Sequence, residues 1–282
     1  MRFFGLVALS AGALLIAVSS AARADVFTID NFSVGGTGAP PLFNDTFSQG
    51  VTLNPGTAAS GLNLPSGTPA NYFVTGTGPI TEANGRAVLD TANGLQIPAT
   101  GTPFPFINTL SAQLQVNFSR AGNFTTTGIF DLALPSMAFN SYGIQLIDLT
   151  AANNGNIAAL RVVKAANGDN VISFLKLDRI NNTSTIAGSI LLDATHDQVL
   201  LQLSQTINSD QISGAYEYLD NGVGGPLITF GATVDLSGDG ATIRRSAFNA
   251  NGVIPEPGTF ILLVSGLAGL GWLMRGKERG AT

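Results

Sequence analysis

Through the middle of the chain, apolar and polar residues alternate with a period of two. The run is clearest where Leu110, Ala112, Leu114, Val116 and Phe118 alternate with Ser111, Gln113, Gln115 and Asn117. A strand points successive side chains to opposite faces, so this segment is predicted to be a half-buried strand, apolar inward and polar outward. Similar runs cover Val26–Phe32, Arg86–Thr91, Gly128–Leu134, Tyr142–Leu149, Ile157–Val163 and Val171–Leu177. They continue at Ile186–Leu192, Val199–Leu203, Ile212–Leu219 and Leu227–Val234. Turn residues separate them, at 153–155, 167–170, Asn181-Asn182 and 220–222. Asn-Gly pairs suit tight hairpins because both central residues accept a positive φ. About ten to twelve short strands with such spacing predict an all-β fold, an antiparallel sandwich or barrel. Before Pro105 the signal is weaker: 35–41, 54–57 and 67–79 are rich in Gly and Pro and read as breakers. The middle shows no helix-period segment longer than a turn or two and no fixed-period repeat.

The two ends depart from this pattern. Met1-Arg2, an apolar run from Phe3 to Val18 and the small-x-small Ala22-Arg23-Ala24 come in the order of a secretory signal peptide over residues 1–24. Signal peptidase and the Sec translocon are the partners this implies, with the mature chain starting near Asp25. At the other end, Val253 to Thr259 holds Pro255, Glu256 and Pro257, followed by a 15-residue apolar run over 260–274 and the basic residues Arg275, Lys277 and Arg279. The prolines remove backbone donors and keep the chain extended. As a helix the apolar run reaches about 22 Å, short of a hydrocarbon core of about 30 Å. The basic end belongs on the cytoplasmic side, which leaves the preceding domain outside. A plain C-terminal membrane anchor is the other reading of this segment.

The order Pro255-Glu256-Pro257, apolar helix with Gly266, Gly269 and Gly271, and basic end resembles the PEP-CTERM sorting signal over residues 253–282. That resemblance implies recognition by an exosortase, transient residence in the inner membrane, and a Gram-negative bacterium that makes exopolysaccharide. The spaced basic end departs from the unbroken arginine run more usual in the family. The exported part, residues 25–252, resembles a second family. Its run of Asn44-Asp45-Thr46-Phe47, 82–90, 142–148, Val199–Leu203 and 212–218 is similar to the concanavalin-A-like lectin and glucanase jelly roll. This resemblance implies a jelly-roll sandwich and a carbohydrate-linked role at the cell surface or in the extracellular matrix.

Charge and composition narrow the function further. The chain has 13 basic and 18 acidic residues. Five of the basic and two of the acidic ones lie in the ends, which leaves eight and sixteen in the middle. An acidic surface repels phosphate, so nucleic acid is not an expected partner. The chain has no cysteine, which excludes disulfides, thiol nucleophiles and thiolate metal sites.

Catalytic chemistry has few candidates. His196, the only histidine, lies beside Asp197 in a polar turn; a solvated loop histidine is the plainer reading, and no Gly-x-Ser-x-Gly elbow accompanies it. Glycoside hydrolysis needs two carboxylates flanking the bond. The middle holds two glutamates, Glu82 and Glu217, and no Glu-x-Asp-x-x-Glu pattern. The expectation is therefore a non-enzymatic protein, with a polysaccharide-active hydrolase or a purely structural adhesin as alternatives. No cofactor is expected, with calcium as the one ion to consider: Asp235, Ser237 and Asp239 place oxygens at alternate positions like the first half of an EF-hand loop. The twelfth position is Ser246, not Glu, and a polar hairpin turn explains the segment equally well. Carbohydrate binding would use exposed aromatics, for which the candidates are Tyr72, Phe73, Tyr142, Tyr216 and Tyr218; Tyr216 and Tyr218 share one face of a strand, as a sugar-stacking platform or as core.

Overall fold

The computed structural model describes residues 24–36, 41–98, 106–150 and 155–253. The signal segment up to residue 23 and the tail from residue 254, with the expected helix 260–274, lie outside the described residues. Ala24–Val253 forms a compact unit. Its strands are, in chain order, β1 (Val26–Gly35), β2 (Pro41–Asp45), β3 (Thr52–Leu53), β4 (Gly56–Asn63), β5 (Pro69–Thr75), β6 (Ile80–Ala83) and β7 (Arg86–Asp90). A 3₁₀ turn at Thr91–Asn93 leads to β8 (Leu95–Pro98), β9 (Phe106–Leu114), β10 (Phe118–Ser119), β11 (Phe124–Asp131), β12 (Ser141–Leu149), β13 (Ile157–Lys164) and β14 (Asn170–Asp178). The last six are β15 (Thr183–Leu191), β16 (Gln198–Gln205), β17 (Gln211–Asp220), β18 (Val223–Gly224), β19 (Ile228–Asp235) and β20 (Ile243–Gly252).

The strands form two ten-stranded antiparallel sheets. Sheet A runs β18-β17-β16-β11-β1-β7-β6-β3, with β19 beside β17 and β2 beside β1. Sheet B runs β15-β14-β13-β12-β20-β9-β5-β4, with β10 beside β20 and β8 beside β9. The architecture is an antiparallel β-sandwich, as the alternation predicts. Two hairpins turn on Asn-Gly pairs: Asn84-Gly85 joins β6 to β7 and Asn221-Gly222 joins β17 to β18. All four residues have positive φ, between 53° and 76°, the conformation a two-residue hairpin of this twist needs.

The core lies between the inward faces. Phe248 of β20 meets Phe32 of β1, Phe47 and Tyr72 of β5 at ring separations of 5.1, 5.6 and 5.6 Å. Phe130 of β11 packs on Tyr142 of β12 at 5.3 Å. These tilted contacts tie sheet A to sheet B, and each ring buries enough apolar area to dominate its neighbourhood.

Two expectations from the sequence are corrected. The turn-rich stretch 67–79 contains β5, which pairs with both β4 and β9. Gly67, Gly76 and Pro79 sit outside that strand, and between them Ala70, Tyr72 and Val74 alternate inward. The predicted strand through Phe118 ends at Leu114 and resumes as the short β10.

A third element, β20, was not predicted. It is a central strand, paired with β12 over its whole useful length and with β9. Its inward face carries Arg244 and Ser246 ahead of Phe248 and Ala250, so no apolar alternation marks its start. Arg244 is fully buried. Its guanidinium donates to both carboxylate oxygens of Asp148, to Gln205 Oε1 and to Asp210 Oδ1. Gln205 in turn donates to the carbonyls of Arg120 and Gly122. This network links β12 and β20 of sheet B to β16 of sheet A. Every donor nitrogen of Arg244 has an acceptor, which is the condition for burying such a charge.

Candidate functional site

Because Arg244 points inward, Arg245 points outward, and pairing registers lay out what surrounds it. Arg245 lies opposite Ile147, Ile147 opposite Ile157, and Ile157 opposite Leu177, one row across β20, β12, β13 and β14. The next row on this face is Gln113, Ala247, Gln145, Ala159 and Leu175. The third is Ser111, Asn249, Gly143, Arg161 and Ser173. Ile157, Ala159 and Leu175 form a small buried cluster of their own here, separate from the main core. Gly143 has a local reason: a Cβ there would lie 2.2 Å from the Leu160 carbonyl oxygen and 2.6 Å from Arg161 Cα. Its absence lets β12 approach β13 closely beside Arg161.

Together these rows floor a cleft of about 900 Å³ on the outer face of sheet B. Its polar lining includes Thr109, Ser111, Gln113, Gln115, Gln145 and Asn251. Arg161, Arg179 and Arg245 add three guanidinium groups, and Phe73 and Phe139 two aromatic rings. Phe73 is 44% exposed. Phe139 holds a positive φ of 71°, a backbone conformation that a bulky residue keeps only when its surroundings enforce it. Thr109 donates to Asn251 Oδ1 at 2.8 Å. Arg245 donates to Asn117 Oδ1 at 2.7 Å and Gln115 Oε1 at 2.9 Å, which fixes its head against the amides of the floor.

Among the described residues, the carboxylate in the lining is Asp148. Its side chain is fully buried and held by Arg244 on the inward side. Burial pushes this carboxyl up to about 6, with the Arg244 hydrogen bond acting against the rise. Arg161 is drawn down to about 10 by burial, and burial also lowers Arg179 and Arg245. No protein family model and no curated protein matches the chain.

Of the aromatic candidates singled out from sequence, Phe73 lines the cleft and Tyr72 and Tyr142 are core; the remaining candidates fall elsewhere. Tyr216 is core at 3% exposure, 5.6 Å from Phe230, the second of the two readings its sequence allows, because β17 turns that face inward. Tyr218 follows it on the same side, half-buried, and stacks on His196 at 4.9 Å and 13°. The Tyr218 hydroxyl accepts from the Asp193 amide at 2.8 Å. His196 Nδ1 lies 2.9 Å from Asp220 Oδ2 and Nε2 lies 3.7 Å from Asp193 Oδ2. This pairing holds the turn before β16 against the end of β17.

In the loop after β19, Asp235 Oδ1 accepts from the Ser237 amide at 2.7 Å. The Asp239 side chain is buried. It accepts from the Ala241 amide at 3.0 Å, the Asn156 amide at 2.8 Å and Arg120 at 3.3 Å. Its lone pairs are thus spent on protein donors, and the loop serves as a clasp between β13 and β19. Among the described residues no three acidic or histidine side chains converge as a metal site. No helix among them is long and apolar enough to cross a membrane. Pro255, Glu256, Pro257, Arg275, Lys277 and Arg279 lie outside the described residues.

Sequence reasoning missed the cleft. Ser111, Gln113 and Gln115 were legible as the polar face of a strand, but not as one wall of a cavity. The signal that distinguishes them is their amide chemistry. Lysine and glutamate are the usual residues of a face that only meets water, and here that face carries glutamine, asparagine, serine and threonine.

Proposed function

We propose that residues 25–252 are an exported, non-enzymatic carbohydrate-binding domain of the cell surface or extracellular matrix. The observation that carries this reading is the cleft on the outer face of sheet B. Its row of amides and hydroxyls offers both donors and acceptors at fixed spacing, as the hydroxyls of a sugar chain require. Phe73 and Phe139 supply rings at the same face for sugar C–H surfaces. A cleft running over several strands takes a chain better than a single small molecule.

The same lining supports binding over hydrolysis. Glycoside cleavage needs an acid and a second carboxylate on either side of the bond. Asp148 is the carboxylate near the cleft, and Arg244 holds it from behind. The jelly-roll resemblance to concanavalin-A-like proteins belongs to this reading as well, and the two-sheet sandwich is compatible with it. The tail over 253–282 is proposed to hand the domain to an exosortase after export, with the exopolysaccharide as its surroundings. Calcium has no role in this proposal.

The test is binding of the full chain to an array of polysaccharides, with and without added calcium. Saturable binding to at least one glycan supports the domain's role; absence of binding at millimolar sugar overturns it in favour of a structural adhesin. Release of reducing ends over time would favour the hydrolase instead. For the tail, the mass of the chain in cells with and without exosortase decides. Loss of residues 260–274 only where exosortase is present is the expected result, and an intact tail in both would overturn the sorting proposal.

A further inference from the structure

The described domain has eight basic side chains, and they divide sharply by location. Arg86 pairs with Asp30 at 3.0 Å and Asp131 at 2.8 Å. Arg120 pairs with Asp210 at 2.5 Å and Asp239 at 3.3 Å. Arg244 pairs with Asp148 and Asp210. Lys164 donates to the Ser136 carbonyl at 3.2 Å, and Lys176 feels Asp178 and Asp235. Among the six arginines of the domain, Arg161, Arg179 and Arg245 are the ones without a carboxylate partner, and all three line the cleft.

This is the reverse of what the overall charge favours. Sixteen acidic residues are available in residues 25–252, yet none pairs with these guanidinium groups. Arg161 is the extreme case. Its Nε is buried without a hydrogen-bond partner, in the row that also holds Gly143. Leaving a charged donor desolvated and unmatched is costly in an isolated domain. It ceases to be costly when an anion completes the site. A guanidinium presents its donors in a fork that matches carboxylate and sulfate oxygens in pairs.

The spacing favours a polymer. Arg245 and Arg161 are four residues apart along the strand direction and two strands apart across it. That is about 13 Å along and about 10 Å across between their backbone positions, a separation that suits successive charges of a chain. Arg179 follows the end of β14 and extends the set along the Leu177 side of the cleft. Between them lie the neutral amides of the floor.

We propose that the cleft selects an anionic glycan, a chain whose sugars carry carboxylate or sulfate groups, with Arg161, Arg179 and Arg245 each reading a separate charge. The inference rests on the carbohydrate reading of the cleft and goes beyond it by naming the chemical class. An acidic domain repels such polymers everywhere else on its surface, so the three arginines set both the place and the register of binding.

The experiment compares polymers that share a backbone and differ in charge. The full chain is titrated with polygalacturonate and with its methyl ester, and with dextran sulfate and dextran. At least tenfold tighter binding to the charged member of one pair is expected, weakening as salt is raised to 0.5 M as ionic contacts do. The pair that shows the preference tells carboxylate from sulfate. The triple variant R161Q/R179Q/R245Q is expected to lose the preference while still binding the neutral polymer. Should burial at Arg161 prevent that variant from folding, the double variant R179Q/R245Q is expected to cut the preference at least threefold, with Arg86→Gln leaving it unchanged. Equal binding within both pairs would overturn the charge inference and leave the glycan reading standing. No binding to any of the four would overturn both. Displacement of the bound polymer by single-stranded DNA at equal charge concentration would also overturn it, since the cleft would then read charge without sugar.

Discussion

The two outer faces of the sandwich handle charge in opposite ways. On sheet A, Arg86 is flanked by Asp30 and Asp131, Gln198 donates to Asp30, and Thr28 donates to Asp131 at 2.6 Å. The face is polar, and its cation is paired with carboxylates of the same protein. On sheet B, three guanidinium groups stand among neutral amides and hydroxyls over an apolar floor. Both faces are built from the same alternating strands, so the difference does not come from secondary structure. It comes from what sits beside each cation. A face whose cation is paired with carboxylates of the protein has little left to offer an anionic ligand, whereas guanidinium groups without a carboxylate partner in a concave cleft are the chemistry of recognition.

The largest expected effect separates the inner and outer faces of sheet B at two adjacent residues. Arg244→Ala leaves Asp148 buried without its partner and should cost about 3–5 kcal/mol in a urea titration. Arg245→Ala, one residue on, should cost under about 1 kcal/mol because its partners are neutral and reach solvent. Equal losses at both positions would break the division between a structural inner face and a functional outer one.

A smaller and pH-dependent effect lies on sheet A. Glu82 in β6 is buried, pushed up from 4.5 to about 7 by desolvation and then by the nearby Asp45. The folded protein therefore keeps a proton on Glu82 that the unfolded chain releases above pH 4.5. Stability contributed by this group is full below about 4.5, falls as the pH rises to about 7, and is flat beyond. Glu82→Gln should be near neutral at pH 4 and more stable than the parent by about 1–3 kcal/mol at pH 8. Thermal unfolding at the two pH values checks it, and an equal shift at both would show that the site is not titrating.

Next come the outer faces themselves. Phe73→Ala should weaken glycan binding about fivefold, by loss of a stacking ring worth about 1 kcal/mol, with unchanged circular dichroism. Smallest of all, Arg86→Ala should cost under about 1 kcal/mol, as exposed ion pairs do, and leave glycan binding unaltered in the same titration. A large loss of binding at Arg86 would move the functional face to sheet A.

The all-β fold was legible wherever one strand face is apolar throughout. Leu110, Ala112 and Leu114 announced β9, and Tyr142 to Leu149 announced β12, because the core alone decides what their inward positions hold. It was illegible where the inward face does polar work. β20 begins with Arg244 and Ser246 facing inward, where Ser246 meets the Thr126 hydroxyl, so its sequence reads as a loop although it is central to sheet B. β5 was hidden by Gly67, Gly76 and Pro79, which belong to the turns around it. The cleft was harder still. Alternation marks Gln113 and Arg161 as outward, but whether an outward face is convex or concave depends on sheet curvature and on which strands are neighbours. Arg161 and Arg245 are 84 positions apart in the chain and meet the same cleft only through the order β20-β12-β13. The aspartate-rich loop at 235–239 is open to two readings in sequence for a related reason: its carboxylates look free there, and in the fold they accept from Arg120 and from backbone amides.

The most direct test of the account follows the guanidinium Nε–H signals of the full chain by NMR during titration with a short polygalacturonate oligomer. The account predicts saturable shifts at Arg161, Arg179 and Arg245, with Arg86 on the opposite sheet unmoved. Shifts at Arg86 with the three cleft arginines silent would contradict it.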